Sequence, residues 1–403
     1  MPQICFYFQL HQPYRLSDFN VFDIDNEEDY FSKDNKKIFQ KVSKKSYRPM
    51  LSLLLKLVKR HSEFKFSLSC SGIFLEQALE FDPEIINLIQ KLVKTGQVEL
   101  LAETYYHSLA GLYSEPEFQY QVEKHGQLLK ELFDYQPTIF RNSELIYNNY
   151  IAEQVERMGY KAILTEAVDR YLHGRERTKA YRSYTKKSLP LLLKHAPLSD
   201  DIAFRFSNKN WPEHPLTVQK YLKWIEIYPE DHFVNLFMDF ETFGEHQWED
   251  TGIFLFFEKF IAEFSQKNYN KFVTPNEVVA SLDEDKLEVY DVPEPISWAD
   301  VDRDLTAWVD NDLQKDTINK IYELETIVLE TQNNSLIEKW RRLQTSDNFY
   351  YMCTKWANDG DVHAYFSPFE TPFEAYRHYS IVLADLIIKI ESQNQLEQLS
   401  KKK

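Results

Sequence analysis

The chain has 403 residues, 43% of them hydrophobic, and a formal net charge of −16. That is enough apolar material for a large buried core and too much for a disordered polymer. The acidic balance works against nucleic acid and anionic membranes as partners, because their phosphates would be repelled, so a neutral substrate suits the chain better.

In chain order, Gln3–Leu10 is an apolar and aromatic run that reads as a strand ending at His11-Gln12-Pro13. Phe39 to Lys59 carries apolar residues at helical spacing, and so does Pro83 to Val93. Gly96 to Leu101 reads as a strand running into Glu103, Tyr105, Tyr106 and His107. A helix is predicted over Phe118 to Phe133. Pro137 to Phe140 then leads into Arg141-Asn-Ser-Glu144, and Tyr150 to Met158 is again helical. Lys161 to Leu164 ends at Glu166 and Asp169. Residues 166–190 are rich in Arg, Lys and Tyr without clear periodicity, and are expected to form loops over the site. The run Asn235-Leu-Phe-Met stops at Asp239, with Glu241, Glu245 and His246 close behind. Two prolines in Asp291-Val-Pro-Glu-Pro-Ile296 break this rhythm. Beyond them Leu313 to Gln332, Leu336 to Leu343 and Phe373 to Ile390 are helical in pattern, so residues 1–290 are expected as a βα domain and 291–403 as a helical bundle.

Strands alternating with helices predict a mainly parallel sheet. A closed barrel would gather the polar strand ends around one mouth, and an open sheet would line them along a crevice. Three cysteines without metal-ligand spacing predict reduced thiols and a cytoplasmic protein. The N-terminus has neither the basic nor the apolar region of a leader, and nowhere do eighteen apolar residues run together, so no membrane span is expected.

Acidic side chains are costly to desolvate unless they are put to use. Glycoside hydrolysis uses two carboxyl groups on either side of the scissile bond. The strand ends offer Glu103, Glu144, Glu166, Asp239 and Glu241, and spacing alone does not choose a pair. The 25 Tyr, 29 Phe and 7 Trp serve a core first, with some available to stack on sugar rings.

Five segments in order carry a resemblance: His11-Gln12-Pro13; Gly96-Gln-Val-Glu-Leu100 with Tyr106-His107; Asn142-Ser-Glu-Leu-Ile-Tyr147; Asp239-Phe-Glu-Thr-Phe-Gly244; and Asp304-Leu-Thr-Ala-Trp308. Together they resemble the signatures of glycoside hydrolase family 57, the α-amylase-like enzymes acting on α-glucans. The resemblance implies an α/β fold, a distorted (β/α)7 barrel followed by a C-terminal helical domain that contributes to the cleft. It also implies retaining cleavage of α-1,4-glucosidic bonds in an α-glucan or maltooligosaccharide, with Glu144 as nucleophile and Asp239 as acid/base. Asp239 must then hold its proton, through burial or through the charge of Glu144.

His11, His107, Glu103 and Glu241 are expected around the sugar hydroxyls, Trp211, Trp298 and Trp308 as stacking platforms, and Asp304 in the cleft through its motif. No cofactor or metal is called for. Two positions depart from the family pattern: Gln9 stands where a histidine is common, and Ser108 where a proline is. Neither touches the two carboxyls. The same mechanism would also serve a 4-α-glucanotransferase or a branching enzyme. Two other classes are a metal-dependent polysaccharide deacetylase using His232, Asp239 and His246, and a non-catalytic glucan-binding protein. Oligomeric state is not encoded in these motifs.

Overall fold

A computed structural model describes residues 2–26, 29–267, 270–355 and 367–401. Its strands are β1 (Gln3–Leu10), β2 (Phe66–Cys70), β3 (Val98–Leu100), β4 (Ile139–Arg141), β5 (Ala162–Thr165), β6 (Ala180–Ser183), β7 (Pro190–Leu193), β8 (Phe233–Asp239), β9 (Lys271–Phe272) and β10 (Val289–Tyr290). They form two five-stranded sheets. One has the order β3-β2-β1-β8 with β9 also paired to β1, and the other β10-β6-β7-β5-β4. Every pairing is parallel except β6 with β7.

Side-chain alternation explains why β1 is apolar almost throughout. Cys5 and Tyr7 join Leu101, Ile139, Leu164, Leu192 and Phe237 in one cluster drawn from both sheets. The intervening Ile4, Phe6 and Phe8 pack in a second cluster with side chains of the helices Arg48–Arg60 and Ile253–Ser265. A strand buried on both faces loses its polar alternation, as parallel sheets covered by helices do. The two sheets meet along two seams. Ala102 bridges Phe140 in parallel, with Arg141 N–H donating to Ala102 O at 2.8 Å. On the other side His195 N–H donates to Asn235 O at 2.8 Å, and the Asn235 amide donates to Leu193 O at 2.8 Å.

The expected loops of 166–190 are corrected. They contain β6 and the first residue of β7, and β6 is the antiparallel member of its sheet. Its sequence, Ala-Tyr-Arg-Ser, is too short and too polar for periodicity to reveal. The chain ends in the helices Asp312–Glu323, Glu325–Glu330, Asn334–Leu343, Ser346–Tyr350 and Pro372–Lys401. Trp340, Phe349, Tyr379 and Leu386 from these helices share one apolar cluster with Tyr106, Phe118 and Tyr147. The helical segment is therefore packed into the βα part through a common core. Among the described residues no helix is long and apolar enough to cross a membrane.

Candidate active site

β4 ends at Arg141, and the chain turns sharply through Asn142 and Ser143 to Glu144. Glu144 and Leu145 both adopt left-handed backbone, with φ of 57° and 51°. For non-glycine residues this costs roughly 1 kcal/mol or more each and persists only where surrounding contacts hold it. Here Trp298 N–H donates to the Glu144 carbonyl at 3.1 Å, and the Trp298 indole N–H donates to its carboxylate at 2.8 Å. The Ser346 hydroxyl donates to the other carboxylate oxygen at 2.9 Å, and His107 Nε2 lies 3.3 Å from that same oxygen. Burial alone would raise the carboxyl's pKa. The hydrogen bond and charge of His107, with the charge of Arg141 and the indole hydrogen bond, bring it instead to about 2. Glu144 is an anion, and it remains partly exposed.

Behind it lies a fully buried layer. Glu103 accepts from the Ser69 hydroxyl at 2.6 Å, from the Gln9 amide at 3.0 Å and from His107 Nδ1 at 3.0 Å. Its burial is outweighed by His107, Arg141 and His125, which hold its carboxyl near 2. His107 sits between two carboxylates. Burial opposes its charge, yet Glu103 and Glu144 lift it to about 9. His11 stacks on it at 3.9 Å between ring centroids, and the two cannot both be cations at low cost. Burial and the His107 charge push His11 down. Neutral His11 then donates from Nε2 to Asp347 at 2.9 Å and accepts at Nδ1 from the Ser71 hydroxyl at 2.8 Å.

Asp239 ends β8, in register with Gln9 of β1. Among the described residues no hydrogen bond or ion pair holds its half-buried carboxyl. Burial and then the charge of Glu144 raise it to about 6, against the charges of Arg141, Lys194 and His107. Next to it Glu241 is buried and accepts from the Tyr47 hydroxyl; burial and the Asp239 charge push Glu241 to about 8. Tyr47 closes a widened π-helical turn, Ser43–Tyr47, between the helices Asn35–Val42 and Arg48–Arg60. Such turns commonly re-aim side chains at functional sites. The same turn explains Gly244: its φ is 106°, and a Cβ there would lie 1.9 Å from the Lys45 carbonyl oxygen. Between about pH 2 and 6 the site therefore holds one ionised and one protonated carboxyl, the pairing that acid-assisted displacement at a glycosidic carbon requires.

The profile of glycosyl hydrolase family 57 matches residues 5–293, well over half of the chain. The chain belongs to glycosyl hydrolase family 57. This family 57 chain is 41% identical over 395 residues to a Methanocaldococcus jannaschii protein named "Putative alpha-amylase", spanning 95% of this chain and 83% of that one. In three dimensions it is similar to a family 57 branching enzyme of Thermococcus kodakaraensis, with a TM-score of 0.68, 13% identity, and coverage of 97% of this chain and 94% of that one. It is also similar to a 4-alpha-glucanotransferase from Thermococcus litoralis, with a TM-score of 0.63, 16% identity, and coverage of 87% of this chain but 56% of that one. At such identities these two are likenesses of fold.

His11, His107 and Glu103 come together at the site: His107 links Glu103 to Glu144, and His11 stacks on His107 and bonds Asp347 and Ser71. Several expectations for individual residues of the family 57 chain are corrected. Trp298 belongs to the site, but as a donor to Glu144, with Arg141 and Lys194 against its ring at 5.0 and 5.4 Å. Trp308 is 1% exposed and packs beside Tyr350, so it offers no open face. Asp304 accepts from the Thr306 N–H at 2.8 Å and steadies its own turn. Trp211 packs against Trp224 and Arg205. Glu166 is buried, 3.7 Å from Lys194 and from Arg303. The metal alternative fails on distance. His232 precedes β8 and Asp239 ends it, on the order of 20 Å apart at about 3.3 Å per residue. Among the described residues no group of three potential ligands could hold an ion.

Sequence reading missed Ser346, Asp347, Lys194 and Arg141 as site residues. Arg141 alone carried a local signal, a cation at the end of an apolar strand three residues before Glu144.

Proposed function

We propose that this chain is a retaining glycosidase that cleaves α-1,4-glucosidic bonds in α-glucans. Glu144 attacks the anomeric carbon. Asp239 donates its proton to the departing glucosyl oxygen, and in the second step it takes a proton from the incoming water. The observation that carries this reading is the contrast between two neighbouring carboxyls: one held ionised by His107, Trp298 and Ser346, the other half-buried with no bonded partner among the described residues. A binding module has no use for that difference. The α-amylase name of the Methanocaldococcus relative supports the substrate class. The two seams at Ala102 and Asn235 support closure of both sheets into one distorted (β/α)7 barrel over residues 1–290, with 291–403 as the helical domain. Three buried free thiols support a cytoplasmic setting.

The test is incubation with a single maltooligosaccharide and analysis of product lengths. Shorter products alone mean hydrolysis, and products longer than the starting sugar mean glucanotransfer by the same intermediate. No change in chain length at any pH would sink the proposal.

A further inference from the structure

Two-carboxylate chemistry leaves one group at the site without a task. Arg141 ends β4 fully buried, three residues before Glu144. None of its three guanidinium nitrogens has a hydrogen-bond partner among the described residues. The Glu103 carboxylate is 3.7 Å from Nη1, beyond a good hydrogen bond. What holds the guanidinium is a pair of rings, Tyr7 at 5.6 Å and Trp298 at 5.0 Å from their centroids. A planar, weakly hydrated guanidinium suits such stacking, whereas an ammonium does not. Burying a cation with so few bonds is expensive, and an apolar side chain would fill the space more cheaply.

We propose that Arg141 is a positioning residue: clamped between Tyr7 and Trp298, it steadies the Trp298 indole on Glu144 and acts as the shared counter-charge of Glu144 and Asp239. The inference rests on the glycosidase reading for what those two carboxyls do. Ring stacking has a chemical advantage here. A guanidinium bonded directly to Glu144 would take a further lone pair from a carboxylate that already accepts from Trp298, Ser346 and His107, while one held by rings lends its charge without adding a bond. Arg141's charge acts downward on Glu144, Asp239 and Glu103 alike. The other groups facing these carboxyls are otherwise engaged. His107 is divided between Glu103 and Glu144, Lys194 lies 3.3 Å from Asp200 and 3.7 Å from Glu166, and Glu241 is bonded to Tyr47.

The experiment is a ¹³C-carboxyl NMR titration of Glu144 and Asp239 in the parent, Arg141→Gln and Arg141→Lys. Signals are assigned with Glu144→Gln and Asp239→Asn, and kcat and KM are followed against pH on a maltooligosaccharide. In Arg141→Gln both carboxyls should titrate higher by about one pH unit or more. The whole activity bell should then move to alkaline pH, with kcat reduced and KM little changed. Arg141→Lys should keep both titrations within about 0.3 pH unit of the parent while kcat falls, because the charge stays and the planar stack is lost. Unmoved titrations in Arg141→Gln would overturn the inference. If that variant does not fold, Arg141→Lys decides, and a displacement of about one unit there overturns it equally. The titration needs no turnover, so a parent inactive on α-glucans sinks the glycosidase reading while the NMR still judges Arg141.

Discussion

Around Glu144, donors arrive from three separate parts of the chain: His107 after β3, Trp298 after β10, and Ser346 in the helical segment. Around Asp239, at the end of β8, none arrives from the described residues. Both are carboxyl groups at strand ends, and both lose water to their surroundings. Desolvation therefore raises each of them, and what separates them is the supply of donors and positive charge. The comparison shows that the acid and the anion are distinguished by their partners more than by burial. A strand end makes a carboxyl available; hydrogen bonds from elsewhere assign it a role.

The comparison breaks most visibly when the charged member is removed. Glu144→Gln should lower kcat by roughly 10⁴-fold or more on maltooligosaccharides, with binding retained by calorimetry. Asp239→Asn should cost about 10²- to 10⁴-fold in kcat, and much less on an aryl glycoside whose leaving group needs no proton. The parent profile follows from the same pair. In the proposed mechanism activity requires Glu144 ionised, above about 2, and Asp239 protonated, so kcat/KM should fall as pH rises through about 6. A profile flat from pH 4 to 8 would contradict the assignment.

Trp298→Phe sharpens the contrast by removing one donor from Glu144 alone. A hydrogen bond to a charged group is worth about 1.5–3 kcal/mol, so roughly a 10- to 100-fold loss is expected. The acidic limb of the pH profile should rise while the alkaline limb stays in place. Ser346→Ala should act in the same direction but cost about tenfold or less, because the indole and His107 remain. The smallest effect is expected from Glu241→Gln. Glu241 keeps its proton up to about 8, so a neutral amide should leave the alkaline limb where it is.

Much of this architecture was legible before any coordinates. β1 has the expected limits, the runs ending at Glu103, Glu144, Glu166 and Asp239 are β-structure, and the C-terminal helices follow their periodicity. Long, strongly patterned segments report their own structure because their burial is decided by near neighbours in sequence. β6 escaped because four mixed residues carry too little pattern, and its place is set by pairing with β7. The aromatic residues misled for a related reason. Trp308 sits in a recognisable motif, but a motif does not say whether a ring faces a cleft or a core, and this one is buried.

Local pattern by itself determined the βα rhythm, the helical C-terminal part and the placing of acids at strand ends, because each depends on residues a few positions apart. Only the tertiary structure decided which acid is ionised, that His107 joins Glu103 to Glu144 with His11 stacked on it, and that Arg141 is held against two rings. Protonation responds to charge and hydrogen bonding through space, and the partners that matter are distant in sequence: Ser346 lies 202 positions from Glu144, and Asp347 lies 336 from His11.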